Sequence, residues 1–547
     1  MAEIYTAPRD EKAFLSLIEK KLNKKDYLSA LLITDSVLTL PKFDKLNVYA
    51  LRAKIYYCMK QYARSSEEWF KYLSSTQNEK LYGRAYNGLG ACFYKMQDKN
   101  VAGYYFNRQI INNKKAIYEF SSVTAEFYED VLSADKNYYL AYPYEKADFT
   151  NLLLKAEDAL RVNEYDKCVE MLSVIPETSK DYPTALITKS IAKYFLGDIE
   201  GATLDIEKSI SLEKKAVAVC NAISMFHSTQ NEEKVDYYLN LLSKMNVESE
   251  EDLYKVAVVY AEKGMHQTAI TFAEKYLKLC PYDTSMLLVY GIMNYNLKRF
   301  DKAEETFEKV YKINRSYVAK SYIKFCKEDR DENFLELEYS FDLHVGDRHA
   351  LIKKISSLMK LSNQDKLSLE NEIYELSNYA FSTSSYQIQS TIITLLGELA
   401  TDTATLIMKK MLLSLNVYDR VKSGIIGYLV ASNTSGETPC TFGNIFRKII
   451  INSAEFESER FTEAYAYVVA KLAPLEKDLL PLKTSAEALY LKAIDKGVLD
   501  DIVDVKALSA VIYELSSISN IKSRREFAKF FDASPKQIKA IKELLQN

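Results

Sequence analysis

Glycine and proline, the residues that punctuate strands and tight turns, number only 15 and 10 in a chain of 547 residues. That scarcity disfavours an all-β or a Rossmann-rich chain of this length. Histidine occurs four times, at 227, 266, 344 and 349, a thin supply for metal ligation or imidazole acid–base chemistry. The seven cysteines (58, 92, 168, 220, 280, 326 and 440) lie far apart, are odd in number and form no Cys-x-x-Cys pair. Clustered spacing is what zinc sites and disulfide frameworks need, so reduced cysteines in a cytoplasmic protein are expected. Long apolar runs are also missing. Ile425–Ala431 is among the longest, far below the ~20 residues a membrane span requires. Residues Met1–Asp10 carry no basic stretch leading into an apolar core, so no secretory signal and no membrane association are expected. The net charge of −3 gives no global basic field to attract nucleic acid.

Apolar and aromatic residues are plentiful, with 48% hydrophobic residues, 42 tyrosines and 24 phenylalanines against one tryptophan. Their spacing repeats. Around Leu89-Gly90 the chain reads Tyr86-x2-Leu89-Gly90-x2-Phe93-x8-Ala102-x3-Phe106. The same frame places Gly291, Ala303 and Phe307 in a unit near 284–317, and Ala257, Tyr260, Gly264, Ala269 and Pro281 in the unit before it. The step from Ala269 to Ala303 equals the step from Ala257 to Gly291. In motif and in period this resembles the tetratricopeptide repeat, a helix–turn–helix of about 34 residues. Weaker units fit near 11–44 (Asp26, Tyr27, Ala30), 46–79 (Tyr49, Ala53, Tyr56, Ser65, Trp69), 149–182 (Ala156, Ala159, Cys168) and 183–216 (Ser190, Gly197, Ala202, Ile206), with a degenerate one at 217–249. Small residues at the Gly90 and Ala102 positions let paired helices cross closely, and Phe93 and Phe106 fill the seam.

The fold class expected is all-α: a solenoid of tetratricopeptide-like hairpins followed by a second helical array. The blocks are 1–116, a helix and tyrosine-rich connector at 117–148 (Tyr118–Leu132, then Tyr138, Tyr139, Tyr142 and Tyr144), 149–325, a polar linker at 326–347, 348–518 and 519–547. The linker assignment rests on Asp329–Asn333 and Gly346-Asp347, with a boundary near 345. In 348–518, apolar stripes such as Ile392, Leu395, Leu396 and Leu399 recur at helical spacing. Asp419-Arg420-Val421-Lys422-Ser423-Gly424 before Ile425 resembles the second helix of a HEAT repeat, with Asp419 as cap and Gly424 as the small contact residue. Ser432–Cys440 reads as a loop, with helices resuming at Phe442.

No HExxH, P-loop or GxSxG sequence occurs, and Gly88-Leu89-Gly90 lacks the third glycine of a dinucleotide loop. Asp342, His344, Asp347 and His349 could converge on a divalent ion, but an exposed loop is the expected state. No catalytic residue, cofactor or metal is therefore assigned, and an enzyme is not expected. In tetratricopeptide arrays the first helix of each pair lines the ligand groove. The resemblance puts Asn47, Ala50, Lys54 and Tyr57, then Arg84, Asn87, Ala91 and Tyr94, on that face. Cations, amides and phenol rings there suit a protein or peptide segment. They do not reproduce the family's clamp for a C-terminal carboxylate. Farther on, Ile187, Ile191, Tyr194, Tyr254, Val258, Leu288, Ile292 and Tyr295 make the face apolar. It either grips a partner, is filled by the chain itself, or is interhelix packing.

The C-terminal stretch 519–547 carries seven basic and three acidic side chains, a local charge of +4. Arg524–Glu543 resembles a helix-turn-helix with Ala528 at the small position and Ile538 and Ile541 buried. In a DNA reader, Lys536, Gln537 and Lys539 would face the major groove. The favoured reading of 519–547 is a hairpin that caps the array. The functional expectation is an interaction scaffold. The alternative is a DNA-binding regulator that uses the terminal hairpin.

Overall fold

The computed structural model describes residues 11–40, 43–112, 150–161, 163–328, 334–383, 385–475, 478–519 and 524–546. The helix expected at Tyr118–Leu132, Tyr138–Tyr144 and the punctuation at Asp329–Asn333 lie outside the described residues. Two compact units emerge: Met1–Trp69 with Asn78–Val345, and Phe70–Gln77 with Gly346–Asn547.

The first unit is an α-solenoid of helical hairpins. Three come first: α1 (Glu11–Asn23) with α2 (Tyr27–Leu38), α3 (Lys45–Cys58) with α4 (Tyr62–Ser74), and α5 (Tyr82–Lys95) with α6 (Lys99–Asn112). Five follow: α7 (Thr150–Arg161) with α8 (Tyr165–Ser173), α9 (Tyr182–Phe195) with α10 (Ile199–Leu212), α11 (Ala216–Ser228) with α12 (Glu232–Ser243), α13 (Glu250–Glu262) with α14 (His266–Leu279), and α15 (Thr284–Asn296) with α16 (Phe300–Asn314). The helix α17 (Tyr317–Glu328) packs on α16. First helices contact first helices along each run: α1, α3 and α5, then α7, α9, α11, α13 and α15.

Each hairpin turns in the same way. The second residue after the first helix takes a left-handed conformation at Lys25, Lys60, Gln97, Asn163, Gly197, Gln230, Gly264 and Lys298. Its N–H and the next one reach back to carbonyls of the first helix, as in Gly264 to Ala261 and Met265 to Tyr260. Asp26, Asp98, Asp198 and Asn231 then accept from the second helix's first-turn amides.

Packing inside the hairpins follows the small-against-large rule. Ala102, Ala269 and Ala303 are fully buried, as are Phe106 and Phe307. A Cβ on Gly90 would meet the Phe106 ring at 2.5 Å, and one on Gly291 the Phe307 ring at 2.4 Å. The two runs of hairpins share a core. Phe14, Leu31 and Ile55 of the first pack with Leu287, Val310 and Ile313 of the second. Tyr56 donates to the Ile313 carbonyl at 3.2 Å, Gln61 to the Tyr282 carbonyl at 3.0 Å, and Arg315 pairs with Asp35 at 2.9 Å. Beneath this seam Arg52 is buried between Asp35 and Glu68, the latter at 3.1 Å. Burial opposes its charge, but Glu68, Tyr56 and Asp35 outweigh that and hold it protonated.

The second unit contains α18 (Val345–Leu358), α19 (Asn363–Ser368), α20 (Glu370–Ser382), α21 (Tyr386–Leu399), α22 (Asp402–Met411), α23 (Asp419–Ala431), α24 (Glu459–Leu472), α25 (Leu480–Asp495), α26 (Val505–Glu514), α27 (Arg524–Phe530) and α28 (Pro535–Gln546). Helices α21, α23, α24, α26 and α28 stack in that order, each on the next.

Here the structure corrects the sequence reading. Residues 436–451 are neither loop nor helix. They form an antiparallel hairpin of β1 (Gly436–Phe442) and β2 (Ile445–Ile451), paired from Gly436–Ile451 to Phe442–Ile445. Gly443 and Asn444 both take positive φ, which is the two-residue turn whose twist matches paired strands. Asp419 does not cap its helix. Its carboxylate accepts from the Gly443 amide at 2.7 Å, at the tip of that hairpin. Gly424 is no contact point, since a Cβ there would meet open space. Lys422, 1% exposed, donates to Thr441 at 2.7 Å. The segment that resembles a HEAT helix thus carries the hairpin.

Three expectations follow. Gly291→Val should destabilise the chain by about 1–3 kcal/mol because the Phe307 ring must move. Gly424→Ala should stabilise by about 0.5–1 kcal/mol, as a helical glycine in open space gains propensity. Urea midpoints of the two variants, moving in opposite directions, check both. Arg52→Met should cost about 3–5 kcal/mol by leaving Glu68 buried without its guanidinium, and adding Glu68→Gln should recover part of that loss. Chemical denaturation of the single and double variants measures the recovery.

Candidate peptide-binding groove

The expected N-terminal groove residues lie on α3 and α5, adjoining first helices. Residues 47, 50, 54 and 57 recur at helical spacing on one face, as do 84, 87, 91 and 94. Asn47, Lys54 and Arg84 are exposed, Tyr57 and Asn87 are half-buried, and Ala50, Ala91 and Tyr94 are buried. Tyr57 meets the Tyr62 ring edge-on at 5.2 Å, and the Lys95 ammonium lies 5.5 Å from the centre of the Tyr94 ring. The face therefore presents two cations and an amide above a floor of small and aromatic side chains.

The later, apolar part of the face is built differently. Ile187, Leu288, Ile292 and Tyr295 are buried, whereas Ile191, Tyr194, Tyr254 and Val258 are half-buried. At Tyr254 of α13 and Tyr295 of α15 the chain itself covers the face, whereas Ile187, Ile191, Tyr194 and Val258 pack in the interhelix core. Residues 334–343, assigned to a linker from the sequence, run without helix or strand pairing across these helices. Asn296, the last residue of α15, donates through Nδ2 to the Leu337 carbonyl and accepts through Oδ1 from the Leu337 amide, both at 2.9 Å. Phe334 stacks on Tyr295 at 5.6 Å under the Lys298 ammonium, and Phe341 stacks on Tyr254 at 6.5 Å. His266, at the start of α14, holds the segment with both ring nitrogens. Tyr339 Oη lies 2.6 Å from Nδ1, and Glu336 Oε1 lies 3.0 Å from Nε2. Burial pushes the Tyr339 hydroxyl above its ordinary value, so it keeps its proton beside Nδ1, while the Glu336 carboxylate faces Nε2 as an acceptor. Tyr322 of α17 donates to the Asp342 carbonyl at 3.0 Å.

Asn296, His266 and the 334–343 segment escaped the sequence reading. A signal was present: Phe334-Leu-Glu-Leu-Glu-Tyr-Ser-Phe alternates in period two, the pattern of an extended chain with one seated edge. A cleft of about 470 Å³ adjoins the segment, lined by His227, Ala261, Glu262, Gly264 and Glu336–Tyr339.

The other candidates are dispersed. Among the described residues no group of three His, Cys, Asp or Glu side chains could hold a metal ion. His344 packs on Phe325 at 6.0 Å, the Asp342 carboxylate accepts from the Leu343 amide at 2.7 Å, and His349 is exposed. All seven cysteines are free thiols, six of them buried. In the terminal hairpin, Ala528, Phe531, Ile538, Ile541 and Leu545 are buried and α28 lies on α26. Asp532 takes the left-handed turn position and accepts from Tyr467 at 2.8 Å and Lys471 at 3.1 Å. Lys536, Gln537 and Lys539 are exposed. Gln537 closes a reciprocal cap with Ser534, and Lys539 lies 3.5 Å from Glu543. No described helix is long and apolar enough to cross a membrane.

No protein-family model matches the chain, and no curated protein matches it. Among solved structures it is similar to the TPR domain of P58(IPK), with 15% identity over 73% of this chain and 95% of that one, at a TM-score of 0.23. It is also similar to the TPR2AB domain of yeast Sti1 in its pHSP90 complex, with 11% identity over 49% and 97% at a TM-score of 0.20. A third is the C-terminal part of a TPR repeat-containing protein from Cytophaga hutchinsonii, with 12% identity over 56% and 99% at a TM-score of 0.19.

Proposed function

We propose that the chain is a non-catalytic, cytoplasmic interaction scaffold that holds an extended protein segment against its first helices. The observation that carries this reading is the Asn296 side chain, which matches both polar groups of one backbone residue, Leu337. A carboxamide so placed recognises main chain in an extended conformation whatever the side chains, and neighbouring rings add selectivity. In the N-terminal block the corresponding helices carry Lys54, Tyr57, Arg84, Asn87 and Tyr94, and we assign the partner segment to that face. Its cations favour a segment bearing carboxylates. Residues 348–518 are read as a HEAT-like array, supported by the serial stacking of α21, α23, α24 and α26. Residues 519–547 are read as its cap, supported by the burial of Ile538, Ile541 and Leu545.

Arg84→Ala combined with Asn87→Ala should lower partner recovery in affinity capture at least tenfold. Arg84 is exposed and Asn87 half-buried, so the urea midpoint should shift by no more than about 1 kcal/mol from wild type, too little to account for the lost recovery. Quantitative mass spectrometry of captures by the two proteins decides it. Equal recovery removes the N-terminal face as the site.

A further inference from the structure

Phe334–Leu343 contacts the helices as a bound ligand does, not as a core element. Leu337 and Leu343 are each 2% exposed, whereas Leu335 and Phe341 remain 56% and 51% exposed. The segment takes no helix and pairs with no strand. Its attachment is a series of separate side-chain contacts: the Asn296 pair on Leu337, His266 on Tyr339 and Glu336, Tyr322 on Asp342, and two ring stacks on Tyr254 and Tyr295. From 337 onward the contacts fall on alternate side chains, while Phe334 and Glu336 add contacts outside that alternation. Leu337, Tyr339, Phe341 and Leu343 face helices through side chains, while Glu338 points to solvent.

We infer that Phe334–Leu343 is a tethered occupant of a second peptide site on α13, α15 and α17, and that this site takes a partner's segment only in exchange for it. The incoming segment has defined chemistry. It is extended, it places a leucine-sized residue at the Asn296 clamp, it carries aromatic rings two and four residues farther on, and it bears a carboxylate one residue before the clamp, where Glu336 meets His266. The inference deepens the scaffold reading, and rests on it in requiring a partner segment, but it assigns a different site from the one on α3 and α5.

A tether that keeps a ligand beside its site supplies an effective concentration of the order of millimolar. An added segment of equal intrinsic affinity therefore competes poorly. If the site is vacant about 1% of the time, apparent affinity for an added segment falls about 100-fold. A partner exceeds that handicap with a better segment or with a second contact. A partner that also engages Arg84 and Asn87 would have such a contact.

The test uses the full chain and a fluorescein-labelled peptide, Phe-Leu-Glu-Leu-Glu-Tyr-Ser-Phe-Asp-Leu, with a scrambled peptide as control. Binding is read by fluorescence anisotropy. The variant Leu337→Ala with Tyr339→Ala loosens the tethered segment and leaves the helices intact. It should bind the peptide at least tenfold more tightly than wild type, and adding Asn296→Ala should reverse that gain. Hydrogen–deuterium exchange of the wild-type chain gives an independent reading that needs no variant. Saturating unlabelled peptide should speed exchange of the chain's own 335–343 amides. Equal affinity of the loosened variant and wild type, equal binding of the scrambled peptide, or unchanged exchange in 335–343 would each overturn the inference. Because the probe is this chain's own sequence, the outcome does not depend on whether the Arg84/Asn87 variant loses its captured proteins.

Discussion

A phenylalanine ring seated on a residue without a side chain sets the geometry of the first unit. Phe106 lies over Gly90, and Phe307 over Gly291, closer than any Cβ would permit. Those contacts fix how near two helices of a hairpin can come. The spacing in turn leaves the first helices free to stack on one another, so that a continuous face arises from residues three and seven apart. Where glycine is replaced by a small residue the rule persists, since Ala53 and Ala257 are fully buried at the same position of their helices. Interior density, not intrinsic helix preference, selects these residues, because glycine disfavours a helix everywhere else.

The turn is the second constraint, and it is more uniform than the residues that make it. Left-handed positions recur at a nearly constant step through Asn163, Gly197, Gln230, Gly264 and Lys298, although only two of these are glycines. Lysine, glutamine and asparagine fill the other turns, each at some conformational cost. Two back-reaching amide bonds at every turn offset that cost, and the start of the second helix is then fixed in register. A repeat can therefore be invisible in residue identity and still regular in backbone.

This separates what could be read from the sequence from what could not. The ring-on-glycine pairs were legible because both partners are chemically distinctive and lie a fixed distance apart in the chain. The hairpin at 436–451 was obscured by Ser432–Pro439, whose composition is that of a loop, although Gly443-Asn444 between Thr441-Phe442 and Ile445-Phe446 carries the turn signal. Asp419 and Gly424 misled for a related reason. A short motif fixes residue types, but not which neighbour they meet. Asn296 and His266 were unreadable in principle, since their partners lie 41, 70 and 73 residues away on a stretch with no helical period.

The two faces of the first unit differ in a way that bears on what each can hold. On α3 and α5 the groups that reach solvent are cationic and amide, so under the proposed function recognition there would be steered by charge and would fall with salt. On α13 and α15 the groups are rings and one carboxamide, and the segment seated there brings the charge itself as Glu336, Glu338 and Asp342. Asn296 is well suited to that place. It is the last residue of its helix, two before the left-handed Lys298, and its carboxamide bonds to Leu337 through both of its polar atoms. An aspartate there would keep the Leu337 amide but repel the carbonyl. A leucine would match neither group and leave both without their side-chain partner. The requirement for donor and acceptor on one short side chain singles out asparagine, and ties this end of α15 to main-chain recognition rather than to packing.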